Sequence, residues 1–231
     1  MDATTTLDQL RSVPLPADWA DNLFLLPETD MRDLHSHVLS NRAVSCLELG
    51  TGYGTTTCML AAALDELGAG NVLTIDMVTR EHVSVDVLVS HLGLGTFVTS
   101  VVHPLGYNWY LADLLDSDTA PSFDLCLLDG AHEWETDGLA FHLAARLLRP
   151  GGWLVLDDLN FHIRMMPQWR TTHPHLSDVE LDTCQMDMVF RLLVEPHPDF
   201  INHRITHDGR IGWAQKKRAS VLSRFSHLLR G

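Results

Sequence analysis

Two kinds of residue stand where chemistry is expected: glycines at a turn and carboxylates at the ends of apolar runs. Glu48-Leu49-Gly50-Thr51-Gly52-Tyr53-Gly54 joins a short apolar run (44–50) to a helical stretch (54–68). Glycines there let the backbone turn tightly and approach a ligand. A strand before and a helix after are what make such a motif informative. Asp76 ends the next run, NVLTID, and a carboxylate in that place accepts both hydroxyls of a ribose. Asp129 ends the run FDLCLLDG, and Asp157 and Asp158 end WLVLDDL. On adjacent parallel strands their carboxyl ends would lie side by side over the ligand crevice. Three unpaired carboxylates would repel one another there. A hard divalent cation resolves the repulsion, Mg²⁺ above all, because it takes oxygen ligands in octahedral geometry and keeps open positions. The plainer alternative is that Asp157 or Asp158 caps the turn that follows.

The elements that must place these residues follow a regular rhythm. Residues 1–28 have no clear period, contain Pro14, Pro16 and Pro27, and read as an N-terminal arm with one short helix. Residues 29–40 have helical spacing, with Thr29 or Asp30 as N-cap. Strands expected at 44–50, 71–76, 97–103, 123–130 and 153–159 alternate with helices at 54–68, 83–93, 108–117 and 134–152, the last stopped by Pro150-Gly151-Gly152. That alternation is the mark of a doubly wound α/β sheet. Residues 160–177 are irregular and rich in His, Met, Trp and Pro. They read as a substrate lid, with Met165, Met166, Pro167 and Trp169 lining a pocket; His162, His173 and His175 fit no metal template. Residues 178–194 read as one amphipathic helix. Runs 200–206 and 210–216 flank His207-Asp208-Gly209, a hairpin signal. The expected fold class is therefore α/β, a mostly parallel seven-stranded sheet ending in an antiparallel hairpin. One domain would span 29–217, followed by a basic tail, 218–231.

Composition bounds the partners. The 231 residues carry 16 Lys and Arg against 30 Asp and Glu, a formal charge of −14. So acidic a chain repels phosphate backbones, and a nucleic-acid substrate is not expected. The charge is uneven: from residue 200 onward seven basic side chains face one acidic one. Cys46, Cys58, Cys126 and Cys184 are scattered, which suggests neither a disulfide framework nor a zinc knuckle. The N-terminus MDATTTLDQL is polar and acidic, unlike a signal peptide, and no apolar stretch approaches the ~18 residues of a membrane span. A cytoplasmic protein that handles a small molecule, without nucleic acid or membrane, is the expectation. The arm and the Trp- and Phe-bearing terminal elements leave a homodimer open. Lysine occurs only at Lys216 and Lys217, so a basic group earlier in the chain must be Arg or His.

The motif ELGTGYG, the TID ending in Asp76, the LLRPGG turn and the terminal hairpin together resemble the class I S-adenosylmethionine-dependent methyltransferases, over about residues 30–217. A dinucleotide-binding reading would want a third glycine near Thr56 and a parallel last strand. The resemblance implies a Rossmann-like methyltransferase fold. It also implies a cofactor site of Glu48, Gly50, Thr51, Gly52, Tyr53, Thr56, Asp76, Met77, Asp129 and Ala131. Asp129, Asp157 and Asp158 resemble the metal ligands of the divalent-metal-dependent O-methyltransferases, of the catechol, caffeoyl-CoA and bacterial macrolide or aminocoumarin sugar types. The Asp-Asp pair is similar to the sugar enzymes. His132, three residues after Asp129, stands where the catechol type has its general-base lysine. Imidazole titrates near neutrality and suits that task; the alternatives are a helix N-terminal histidine or a stacking partner for adenine. The implied activity is O-methylation of an aromatic diol or a sugar in specialised metabolism, with Mg²⁺, and with His132 and Asp129 as catalytic residues. N- or carboxyl-methylation, a cephalosporin-hydroxylase-like protein and a catalytically silent partner subunit are the competing readings. Residues 103–106, His-Pro-Leu-Gly, depart from the family, which has an acid after its third strand.

Overall fold

The structure, a computed structural model, describes residues 1–15, 23, 26–79 and 83–218. Nearly all of the basic tail, 219–231, lies outside the described residues. A short helix α1 (Ala3–Arg11) opens the arm, capped by the Asp2 carboxylate on Thr4 N and Thr5 N. Helix α2 (Glu28–Asn41) starts after Pro27, earlier than the expected Thr29 or Asp30 cap. Then come β1 (Ser45–Leu49), α3 (Thr55–Leu67), β2 (Asn71–Asp76), α4 (Val85–His91), β3 (Val98–Val102), α5 (Tyr107–Asp116), β4 (Phe123–Leu128), α6 (Trp134–Leu147) and β5 (Leu148–Leu156). The order across the sheet is β3-β2-β1-β4-β5-β7-β6, with β6 (Phe200–Thr206) and β7 (Ile211–Lys216) forming the hairpin. All pairings from β3 to β5 are parallel, and β7 runs antiparallel to both β5 and β6.

Burial explains the layers. Helix α3 opens with ten consecutive buried residues, Thr55 to Leu64, because it lies between the sheet and α2. Cys46, Cys58, Leu60, Val72 and Trp213 share one hydrophobic cluster on that side. Leu47, Leu49, Phe141, Leu156 and Phe190 share the other, under α5 and α6. Every residue of β4 is buried, as a central strand covered on both faces requires. Strand order reverses between β1 and β4, so a crevice opens beyond their carboxyl ends.

Two expectations change. The helix expected to run to Gly152 ends at Leu147, and Leu148 to Gly152 already belong to β5, with Gly151 at φ +88°. The single helix expected at 178–194 is three pieces, Asp178–Asp182, Gln185–Val189 and a wider π turn at Phe190–Val194. The break has a purpose. Gln185 turns inward, its Oε1 accepting from Trp134 N at 2.7 Å and its Nε2 donating to Glu180 O at 3.0 Å, so it satisfies the start of α6. Among the described residues no helix is long and apolar enough to cross a membrane.

Candidate functional site

The strand ends are locked into register by backbone bonds that continue beyond the strands. Gly50 N donates to Ile75 O at 2.9 Å, Asp129 N to Leu49 O at 2.9 Å and Asp157 N to Leu128 O at 3.0 Å. These bonds align the glycine turn, Asp129 and Asp157 along one edge. A cavity of about 280 Å³ lies there. Gly50, Thr51, Gly52, Tyr53 and Thr56 line it from the first turn, Asp76 and Met77 from the end of β2. Asp129, Ala131, His132, Asp157 and Asp158 line it from the ends of β4 and β5. Gly130 and Tyr107 also line it, and Leu26, Thr55 and Arg210 complete the wall without having been singled out for it.

Asp76 is held at the rim. Its Oδ2 accepts from Gly52 N at 3.0 Å and its Oδ1 from Met77 N at 2.6 Å, so the carboxylate links the glycine turn to the end of β2. Tyr107 closes the far side: its hydroxyl donates to Asp137 at 2.6 Å and accepts from Ala131 N at 3.1 Å.

Glu48 is the one expected cofactor contact that the structure keeps out of the cavity. Its side chain is fully buried under the turn and accepts from the Thr57 hydroxyl. Alternation along β1 turns it, with Cys46, towards α3, while Leu47 and Leu49 face the other layer. Burial pushes its carboxyl up to about 7, against the pull of the Thr57 hydrogen bond. The sign follows directly. A carboxyl whose folded pKa lies above its unfolded value costs nothing below about 4.5 and reaches its full penalty above about 7. Removing that penalty is worth about 3 kcal/mol at most. Glu48→Gln should therefore be more stable than the parent at pH 8, with the gap closing as pH falls to about 4.5. Urea unfolding at both pH values checks this; a gap independent of pH would refute it.

The carboxylates meet as expected, but not as equals. Burial first, then Asp157 and Asp158, push Asp129 well above the usual carboxylate range. One ligand atom each from Asp129, His132 and Asp158 lie within 4.8 Å of one another. His132 Nε2 is 3.6 Å from Asp158 Oδ2 and its ring meets Phe161 edge-on at 5.2 Å. Asp157 is instead paired with Arg210: Nε to Oδ1 at 2.9 Å and Nη2 to Oδ2 at 3.2 Å. The Asp129 and Asp158 oxygens on two strand ends, with excess negative charge, are donors that fit a divalent cation, and the His132 imidazole stands beside them.

Among the described residues the histidines after β5 do not gather into a second cluster of that kind. His173 and His175 approach Glu133 at 3.7 and 4.0 Å, and His162 has a buried Nδ1 without a hydrogen-bond partner. No residue of 160–177 lines the cavity. Arg164 ties that segment to Asp178 and Asp182 and lies over the Trp169 ring.

Comparison with known proteins gives one family match: residues 47–159 fit the family described as a methyltransferase domain. A search of curated proteins gives no match. Solved structures give the fold. The O-methyltransferase TomG from Streptomyces achromogenes, involved in tomaymycin synthesis and solved with S-adenosylmethionine, superposes with a TM-score of 0.60 at 20% identity, over 93% of this chain and 89% of that one. An O-methyltransferase from Bacillus cereus, in complex with S-adenosylhomocysteine, gives 0.59 at 19% identity, over 93% and 90%. The MycE methyltransferase of the mycinamycin pathway, solved with Mg and S-adenosylhomocysteine, gives 0.56 at 16% identity; it matches 94% of this chain and 55% of its own length.

Proposed function

We propose that this chain, which carries a methyltransferase domain over residues 47–159, moves the methyl group of S-adenosylmethionine onto a hydroxyl of a small molecule, assisted by a divalent cation. The observation that carries the reading is one cavity lined both by the glycine turn with Asp76 and by Asp129, His132 and Asp158. A nucleoside site and a cation-binding donor set thus share one space.

The residues divide the work. Gly50 and Gly52 let the backbone approach the cofactor, and Asp76, already aimed by Gly52 N and Met77 N, accepts the ribose hydroxyls. Met77, Tyr53 and Ala131 bound the remaining cofactor surface. The cofactor supplies a methyl group already activated on a sulfonium, so positioning contributes most of the rate. The cation, Mg²⁺ by the hardness of its carboxylate donors, supplies Lewis acidity towards the acceptor hydroxyl. Asp129 and Asp158 would hold it. The transfer forms a C–O bond and breaks a C–S bond, and the acceptor gives up its proton; His132 is placed to receive it. Phe161 packs against His132, so the 160–177 segment, read as a lid, begins beside the proton acceptor. Two adjacent acceptor oxygens suit a cation with open positions, which makes a vicinal diol, aromatic or sugar, the substrate class.

The test is product mass. Incubation with S-adenosylmethionine and a panel of catechols and sugar diols should give a product heavier by one methylene. Turnover should vanish with EDTA and return on adding Mg²⁺. Undiminished turnover in EDTA would remove the cation from the mechanism while leaving methyl transfer intact.

A further inference from the structure

His132 owes its direction to groups outside the carboxylate cluster. Its Nδ1 is buried and has no hydrogen-bond partner among the described residues, so no third group holds the ring from behind, as one does in nucleophile–base arrangements. Its Nε2 faces Asp158 Oδ2 at 3.6 Å, and Phe161 meets one edge of the ring. The remaining constraint is the backbone. His132 has a φ of 59°, a left-handed conformation that persists only where the surroundings hold it.

Two side chains hold it from either side. Ala131 N donates to the Tyr107 hydroxyl at 3.1 Å, and that hydroxyl donates to Asp137 Oδ1 at 2.6 Å. Glu133 N donates to Asp137 Oδ2 at 3.1 Å. The amides before and after His132 thus end on one carboxylate, the first of them through the tyrosine. Tyr107 begins α5 and Asp137 sits near the start of α6, so the turn between β4 and α6 is fastened to both helices. A Cβ on Gly130 would lie 2.5 Å from the Tyr107 hydroxyl oxygen, so glycine at that position is what admits the ring. Asp137 is fully buried. Burial raises its carboxyl above the ordinary value, and the Tyr107 hydroxyl and the amides of Glu133 and His132 draw it back. A buried carboxylate is costly unless it is hydrogen-bonded, and its partners here are the tyrosine and the turn that carries His132.

We propose that Tyr107 and Asp137 are positioning residues that aim the His132 imidazole at the acceptor hydroxyl. This rests on the reading of His132 as the proton acceptor. The pair acts through the backbone of the turn. Without the hydroxyl, Ala131 N loses its acceptor and Asp137 loses a donor, and the turn is released from its left-handed form. A shift of about 1 Å in a reacting group costs up to about 100-fold in rate.

Tyr107→Phe is the test, because it keeps the ring against Gly130 and removes only the hydroxyl. In the full-length protein, with folding checked by circular dichroism, amide hydrogen exchange in the peptide covering residues 130–134 should quicken about fivefold or more, while exchange in β1 stays as in the parent. With S-adenosylmethionine and whichever diol of the catechol and sugar panel is methylated, kcat should fall about 10-fold to 100-fold. S-adenosylhomocysteine affinity should stay within about threefold. On a His132→Ala background the same change should cost less than about threefold, because no imidazole is left to aim. Asp137→Asn keeps the shape but turns one acceptor into a donor; it should show the same pattern, and it carries the test if Tyr107→Phe does not fold. Unchanged exchange, an unchanged kcat, or a loss as large without His132 as with it overturns the inference and leaves methyl transfer standing. A parent protein that methylates no diol overturns both.

Discussion

Gly50→Ala is expected to destroy cofactor binding and to lower the unfolding temperature of the whole domain. Gly50 has φ of +95°, in the region that side chains disfavour, and a Cβ built there would lie 1.9 Å from Asp129 O, 2.6 Å from Asp129 C and 2.9 Å from Gly130 Cα. All three atoms are backbone, so no rotamer change relieves the clash. The backbone is pinned as well, by Gly50 N on Ile75 O and Asp129 N on Leu49 O. An added methyl must therefore push the ends of β1 and β4 apart, at the point where the glycine turn and Asp129 face one cavity. Overpacking of this kind costs about 3 kcal/mol, more with the backbone strain included. In a domain of this size that is a fall of roughly 10 °C. Gly52→Ala is the control. Its φ is +54° but a Cβ there meets nothing within 4 Å, so it should lose only about 1–2 kcal/mol from the left-handed conformation. Thermal unfolding and calorimetric titration with S-adenosylmethionine measure both effects. A Gly50→Ala protein that melts like Gly52→Ala would disprove the close approach of the two strand ends.

The contrast between the two glycines shows where the amino-acid sequence was legible. Asp76, Asp129, Asp157 and Asp158 could be placed because each closes an apolar run, and parallel strands in a doubly wound sheet must bring those ends to one side. The glycine turn follows from the same order. Glu48 was misplaced because it lies inside its strand, where the two-residue alternation of side chains decides direction; Cys46 and Glu48 go towards α3, away from the cavity. Arg210 stood out only as one of the basic residues near the C-terminus. Its place depends on the antiparallel register of a hairpin with a strand some fifty positions earlier, and apolar runs and turn signals do not set a register over that distance. A weaker signal was present, since pairing β7 beside β5 sets the residue after Asp208-Gly209 opposite the end of WLVLDD. The break at Thr183-Cys184 carries no glycine or proline and was invisible to periodicity. It arises from Gln185 serving the start of α6, a tertiary demand that overrides local helical preference.

His132→Ala is expected to lower kcat by about 10² to 10⁴, the range for losing a positioned proton acceptor, while S-adenosylhomocysteine affinity stays within about threefold of the parent. The separation follows from what His132 touches. Its ring meets Phe161 and its Nε2 faces Asp158 Oδ2. Asp76 and the glycine turn are held by their own backbone bonds, so truncation leaves the cofactor wall in place. His132 also has a φ of 59°, a conformation that alanine tolerates no better, so a modest loss of stability accompanies the change and should be measured alongside. Two readouts separate proton transfer from packing. Added imidazole should restore part of the lost rate, because it enters the space that the ring vacated and accepts the same proton. An acceptor whose hydroxyl is already ionised at the assay pH should lose far less than one that is not, since it has no proton to give. A uniform loss across acceptors of different acidity, with no rescue by imidazole, would show that His132 serves only to shape the site. Aspartates on their own can hold a cation but do not explain where the proton goes. The placement of an imidazole three residues after Asp129, in a chain with no lysine before Lys216, is what makes this residue the natural acceptor.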